Sequence, residues 1–193
     1  MLLLILGLIL FLGAHSIPTL PALRAGLVSS MGENGYKGLM TVLSLAGFVL
    51  IVWGFGSYRG AGYVQVWDPP TGLRHVAVLL MLFSFIALAA SKGPPGNIRY
   101  RLKHPMLVAV KIWALAHLLA NGDLGSIILF GALLAWAVYD RISVKRRGAQ
   151  LPPPPDPAHA MRNDAITVVI GIVAWGAMIA LHPLLIGVAV FGG

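Results

Sequence analysis

Residues 104–123 read HPMLVAVKIWALAHLLANGD. Between Pro105 and Ala120 the one charged side chain is Lys111, and the one other ionisable group is His117. A segment this apolar reads as a membrane-spanning helix, although it falls short of the ~20 residues that a full crossing uses. Lys103 just before it is placed to extend the span by snorkelling, as are Arg74 and Arg141 beside other runs.

Working outward, five further apolar runs centre on Leu2–Ile17, Leu39–Phe55, Val76–Ala90, Leu124–Tyr139 and Ala165–Val190. The chain of 193 residues is 58% hydrophobic and 10% charged, with a mean hydropathy of +0.85. A water-soluble domain of this length carries far more polar surface. The expected fold is therefore all-α: a polytopic membrane protein with six transmembrane helices, lying in the lipid bilayer. We read residues 1–193 as a single transmembrane domain with a Pro-rich loop at about 141–164. The first run has no basic residue before Arg24, so it reads as a retained helix and not as a cleaved signal. Pro183 is expected to bend or end the last helix. The LPPPPDP stretch at 151–157 reads as a stiff polyproline spacer, with a partner-docking segment as the alternative. Asp123 is placed to cap the fifth helix.

The net charge of +8 does not indicate a nucleic-acid partner, because the basic residues flank apolar spans. Arg24 and Lys37, then Lys92, Arg99, Arg101 and Lys103, then Arg141, Lys145, Arg146, Arg147 and Arg162 fall in the first, third and fifth connections. The opposite side holds Arg59 and Arg74. The positive-inside rule puts those three connections in the cytoplasm and both termini outside it, in a bacterial inner membrane. With no cysteine, disulfides, thiolate metal sites and thioether-attached haem are all excluded.

Depth separates the six histidines. His159 lies in the Pro-rich loop, His75 at an interface, and His104 before Pro105, where it positions the start of the helix. His15, His117 and His182 lie within spans. An ionisable residue at that depth has two readings, a functional site or an interhelical hydrogen bond. Imidazoles from different helices form an axial pair for haem iron, and helix bundles build cofactor sites in this way. Around His117, the small Ala114 and Ala120 leave room for a flat macrocycle, while Trp113 and Asn121 lie four residues to either side to pack on it or hydrogen-bond near it. Leu12 and Phe11 lie one turn before His15, with Gly13 close by. His182 competes as a ligand. Lys111 either snorkels to the cytoplasm or meets a haem propionate. At 1.5 Å per residue, His15 and His117 differ by about 10 Å in depth if both helices begin at the interface. A tilted haem or a deeper start of the fourth helix accommodates that.

FLGAHS at 11–16, KHPM at 103–106, KIWALAH at 111–117 and LHPL at 181–184 resemble the NnrU family, which includes the plant ζ-carotene isomerase. The motifs are short, but they cover nearly the whole chain in order. The resemblance implies haem b iron held by two axial histidines, the one before Ser16 and the one ending W-x-x-A-H. Those fall on His15 and His117. It implies either a redox-gated enzyme, such as a cis–trans isomerase of a hydrophobic polyene, or a haem protein of nitric oxide metabolism. A six-coordinate iron has no open site, so substrate chemistry requires one ligand to leave. Two departures bear on the substrate: K-H-P replaces the usual R-H-P, and Ile17 replaces glycine after His-Ser. The His-Pro pair is also similar to that of membrane methyltransferases, which leaves a haem-free enzyme as a further class.

Overall fold

The computed structural model describes residues 1–148 and 150–191. The chain is all-helical: α1 Leu2–Ser16, α2 Pro21–Gly60, α3 Thr71–Lys92, α4 Asn97–Leu102, α5 Pro105–Ala120, α6 Leu124–Arg146 and α7 Pro157–Ile186, with a 3-10 turn at Ile17–Thr19. Among the described residues the only β feature is an isolated bridge between Gln65 and Asp123. The helices α1, α2, α3, α6 and α7 are long and apolar enough to cross a membrane, α1 together with its 3-10 turn, while α5 is a shorter apolar helix. This is a multi-pass membrane protein.

Three boundaries differ from the sequence reading. The connection expected between the first two spans is helical, because α2 begins at Pro21, a favoured first helical residue. Gly32 breaks α2 with φ +74°, a conformation that costs other residues more. Arg24 bridges the break by pairing with Glu33 at 3.3 Å and lying 5.4 Å over the Tyr36 ring. The Pro-rich connection is shorter than 141–164, since α6 runs on to Arg146 and α7 starts at Pro157, capped by Asp156. Pro183 lies inside α7 and does not end it at once. The helix runs to Ile186 and stops at Gly187, which takes the left-handed C-cap conformation.

The chain packs as two compact units, Met1–Asp68 with Asn121–Arg147, and Pro69–Ala120 with Gly148–Gly193. In the first unit α1 runs antiparallel to α2 at backbone contact. A methyl group on Gly7 would stand 2.6 Å from the Ile51 nitrogen, and one on Gly47 would stand 2.7 Å from that of Phe11. Small residues permit this approach, which is how apolar helices gain dispersion energy where lipid offers no hydrophobic drive. Tyr139 meets Thr19 at 2.9 Å, bringing α6 against the turn after α1. At the other end, Val66 and Trp67 N–H groups donate to the Gly122 carbonyl, and Leu124 N–H donates to Val64.

In the second unit α3 carries both α5 and α7. Ser84 Oγ donates to the Ala109 carbonyl of α5 at 2.9 Å, and Trp175 Nε1 of α7 donates to the Val78 carbonyl at 3.1 Å. Gly171 faces the Ile86 backbone with no room for a side chain. Asp164 of α7 accepts from the Ile98 N–H and from Asn97, while Asn163 donates to the Pro95 carbonyl. These bonds tie the basic loop and α4 to the start of α7.

Candidate functional site

His15 lies in the last turn of α1, half-buried. Its Nδ1 is 2.8 Å from the Phe11 carbonyl one turn earlier. A carbonyl only accepts, so Nδ1 carries the hydrogen, and in the neutral ring Nε2 then bears the lone pair. That is the tautomer of a metal-binding histidine whose other nitrogen is held by a backbone acceptor. The Phe11 ring lies 4.2 Å away at 31°, and Trp136 of α6 approaches edge-on at 5.7 Å and 87°. His15 opens onto a cavity of about 320 Å³ whose wall includes Ala14, Pro18, Met40, Ser44 and Trp136, with Asp140 and Arg147 also lining it. Arg147 is fixed there by donating to the Pro18 carbonyl at 2.8 Å and pairing with Asp140 at 3.6 Å.

His117 repeats the local arrangement in α5. Its Nδ1 donates to the Trp113 carbonyl at 2.8 Å, and the Trp113 ring lies 5.0 Å away at 50°. Of the residues expected around it, Trp113 is in contact and Ala114 is fully buried. Lys111 is half-buried on the same helix, with no ion pair among the described residues. Asn121 is the first residue beyond the end of α5.

The other histidines have different settings. His182 Nδ1 donates to the Val188 carbonyl at 2.6 Å, beyond the end of α7. His104 precedes α5, and its carbonyl accepts the Val108 N–H, so its backbone starts that helix. His75 is exposed. His159 donates to Asp156 at 2.6 Å. That bond, followed by the Ala158 N–H, holds the Asp156 carboxyl below the usual carboxylate range. Asp123 caps α6 as expected by accepting the Ser126 N–H at 3.0 Å.

Two signals went unread in the sequence. FLGAH and WALAH are the same pattern, an aromatic residue four positions before a histidine with alanine directly before it. In both, the carbonyl of the aromatic residue receives Nδ1 and its ring contacts the imidazole. The second signal is Trp136, Asp140, Ser143 and Arg147, spaced four, three and four apart. That is helical periodicity for a single face, and three of these residues line the cavity beside His15.

Among the described residues, no three His, Cys, Asp or Glu side chains gather to hold a metal ion. Haem iron makes no such demand, since the macrocycle supplies the equatorial ligands and the protein only axial ones. Each of the two imidazoles, with Nδ1 held by a carbonyl, has the tautomer that makes Nε2 the nitrogen able to ligate. No curated protein and no solved structure gives a significant match to the chain. The family profile described as NnrU protein matches residues 3–190, nearly the full length, and the chain belongs to the NnrU family.

Proposed function

We propose that this protein binds one haem b with His15 and His117 as axial ligands and acts as a redox-gated haem enzyme, with cis–trans isomerisation of a hydrophobic polyene as its reaction. The observation that carries the reading is the shared Nδ1 bond to the i−4 carbonyl, which leaves Nε2 as the ligand nitrogen of both rings. When bound, the haem supplies a redox-active iron able to act as a Lewis acid or to bind nitric oxide once an axial position opens. The chain's own residues hold that group: Phe11 and Trp113 fix the two ligand tautomers, and Lys111 either snorkels or takes a propionate. Trp113, Ala114 and Asn121 complete the proposed surroundings of His117. In the proposed topology six helices cross a bacterial inner membrane with both termini outside the cytoplasm, which a periplasm-dependent reporter fused after Gly193 reads directly.

Absorption spectra of the purified protein, oxidised and reduced, test the cofactor. Low-spin six-coordinate haem, extractable by acidified organic solvent, is expected because no cysteine is present to hold it covalently. A stable, colourless protein from cells supplied with haem overturns the reading and leaves the haem-free methyltransferase class. The alternative reading is a haem protein of nitric oxide metabolism, in which the iron binds or senses the gas without turning over a polyene. Polyene turnover by the reduced protein supports the first reading; a nitric oxide adduct without turnover supports the second.

A further inference from the structure

The histidine of α1 is held by more than its own helix. Trp136 Nε1 donates to Ser16 Oγ at 3.2 Å, and Ser16 Oγ donates in turn to the Leu12 carbonyl at 2.7 Å. The indole is therefore anchored to the residue next to His15, and its ring meets the imidazole at near right angles. An indole has one polar donor, and in an apolar setting that bond fixes where the ring lies. Phe11 and Trp136 thus bound the rotation of the imidazole about its own bond, while the Phe11 carbonyl sets its tautomer.

The geometry points to Trp136 as a positioning residue for His15: through its bond to Ser16 it fixes the plane of the imidazole, and with it the strength and orientation of the axial bond. This rests on the haem reading above. In this role Trp136 acts through the His15 ring, so its removal changes the ligand's angle without removing the ligand. Groups that hydrogen-bond a ligating histidine contribute about 10- to 100-fold to metal affinity or activity, and Trp136 acts one contact further out, at the lower end of that range.

The test uses full-length protein loaded with haem. Trp136→Phe keeps a ring but removes the donor, and Ser16→Ala removes the acceptor. Trp175→Phe removes an equivalent indole bond, that to the Val78 carbonyl, in the other unit. The readouts are the electron paramagnetic resonance g-values of the oxidised low-spin haem, which follow the orientation of the imidazole planes, and the rate of haem transfer to an excess of apomyoglobin. We expect both Trp136→Phe and Ser16→Ala to shift or broaden the g-values and to speed haem loss by about 10-fold, the lower end of that range. Trp175→Phe should do neither. Unchanged g-values and loss rates in Ser16→Ala overturn the proposal even if Trp136→Phe fails to fold, and so does an equal response to Trp175→Phe. A wild-type protein that takes up no haem instead overturns the reading beneath it.

Discussion

The two histidine segments, Phe11–His15 and Trp113–His117, use one local device in different settings. In each, the i−4 carbonyl takes the Nδ1 hydrogen at 2.8 Å and the i−4 aromatic ring lies against the imidazole. Around His15 a second helix contributes Trp136, and a cavity opens beside the ring. Around His117 the flanking Ala114 and Ala116 are packed to 0% and 1% exposure. The tautomer thus belongs to the helix, whereas access and ring orientation belong to the packing. A tautomer set by local sequence is combined with an orientation set by tertiary structure.

The largest effect comes from removing either ring. His15→Ala and His117→Ala should each turn a low-spin spectrum high-spin or strip the haem, lowering haem affinity by more than the ~100-fold that marks the upper end for a lost supporting partner. His104→Ala and His182→Ala should retain the low-spin spectrum. If His182→Ala abolishes it while His15→Ala does not, the ligand of α1 is misassigned and the likeness of the two segments is structural only.

Packing gives the next contrast. Gly47→Val in the first unit and Gly171→Val in the second place side chains into helix backbones, where overpacking costs about 1–3 kcal/mol. Gly13→Ala, two residues before His15, meets nothing within 4 Å and should gain about 0.5–1 kcal/mol from helix propensity. Thermal unfolding in detergent measures all three. Equal destabilisation by Gly13→Ala and Gly47→Val would remove the α1–α2 contact as the frame of the His15 site.

A smaller effect is expected at the α3–α5 contact that carries His117. Ser84→Ala removes the bond to Ala109 and should cost about 0.6 kcal/mol, a typical interhelical value in membranes. The same thermal assay reads it, and a cost above that of Gly171→Val would place the hold on α5 in this one bond. The smallest effect lies at the start of α7. The Asp156 carboxyl is held below its ordinary range by His159, so its cap is intact at neutral pH and is lost as pH falls through the folded value. Protection of the Ala158 amide, corrected for intrinsic exchange, should therefore drop in acid. Asp156→Asn should remove that dependence, with no change at either histidine segment.

The apolar runs made the helices legible, because the bilayer admits few alternatives to a helix that satisfies its own backbone. Asp123 was readable as a cap for the same local reason. The limits of α2 and of the Pro-rich connection were not, since helix outside the membrane depends on caps and breaks at Pro21, Gly32 and Asp156, and not on hydropathy. His15 and His117 stood out by depth and by resemblance. Trp136 did not, because its contacts with Ser16 and His15 join residues 120 or more positions apart. Its helical stripe with Asp140, Ser143 and Arg147 was the one trace of that contact in the sequence.

The i−4 bond also bears on the order of assembly. Phe11 and His15 lie on one turn of α1, so the imidazole acquires its Nδ1–H tautomer as soon as that turn forms in the membrane. During synthesis this happens well before the segment carrying His117 leaves the ribosome. Each helix therefore carries its own histidine tautomer before the tertiary packing around it is complete.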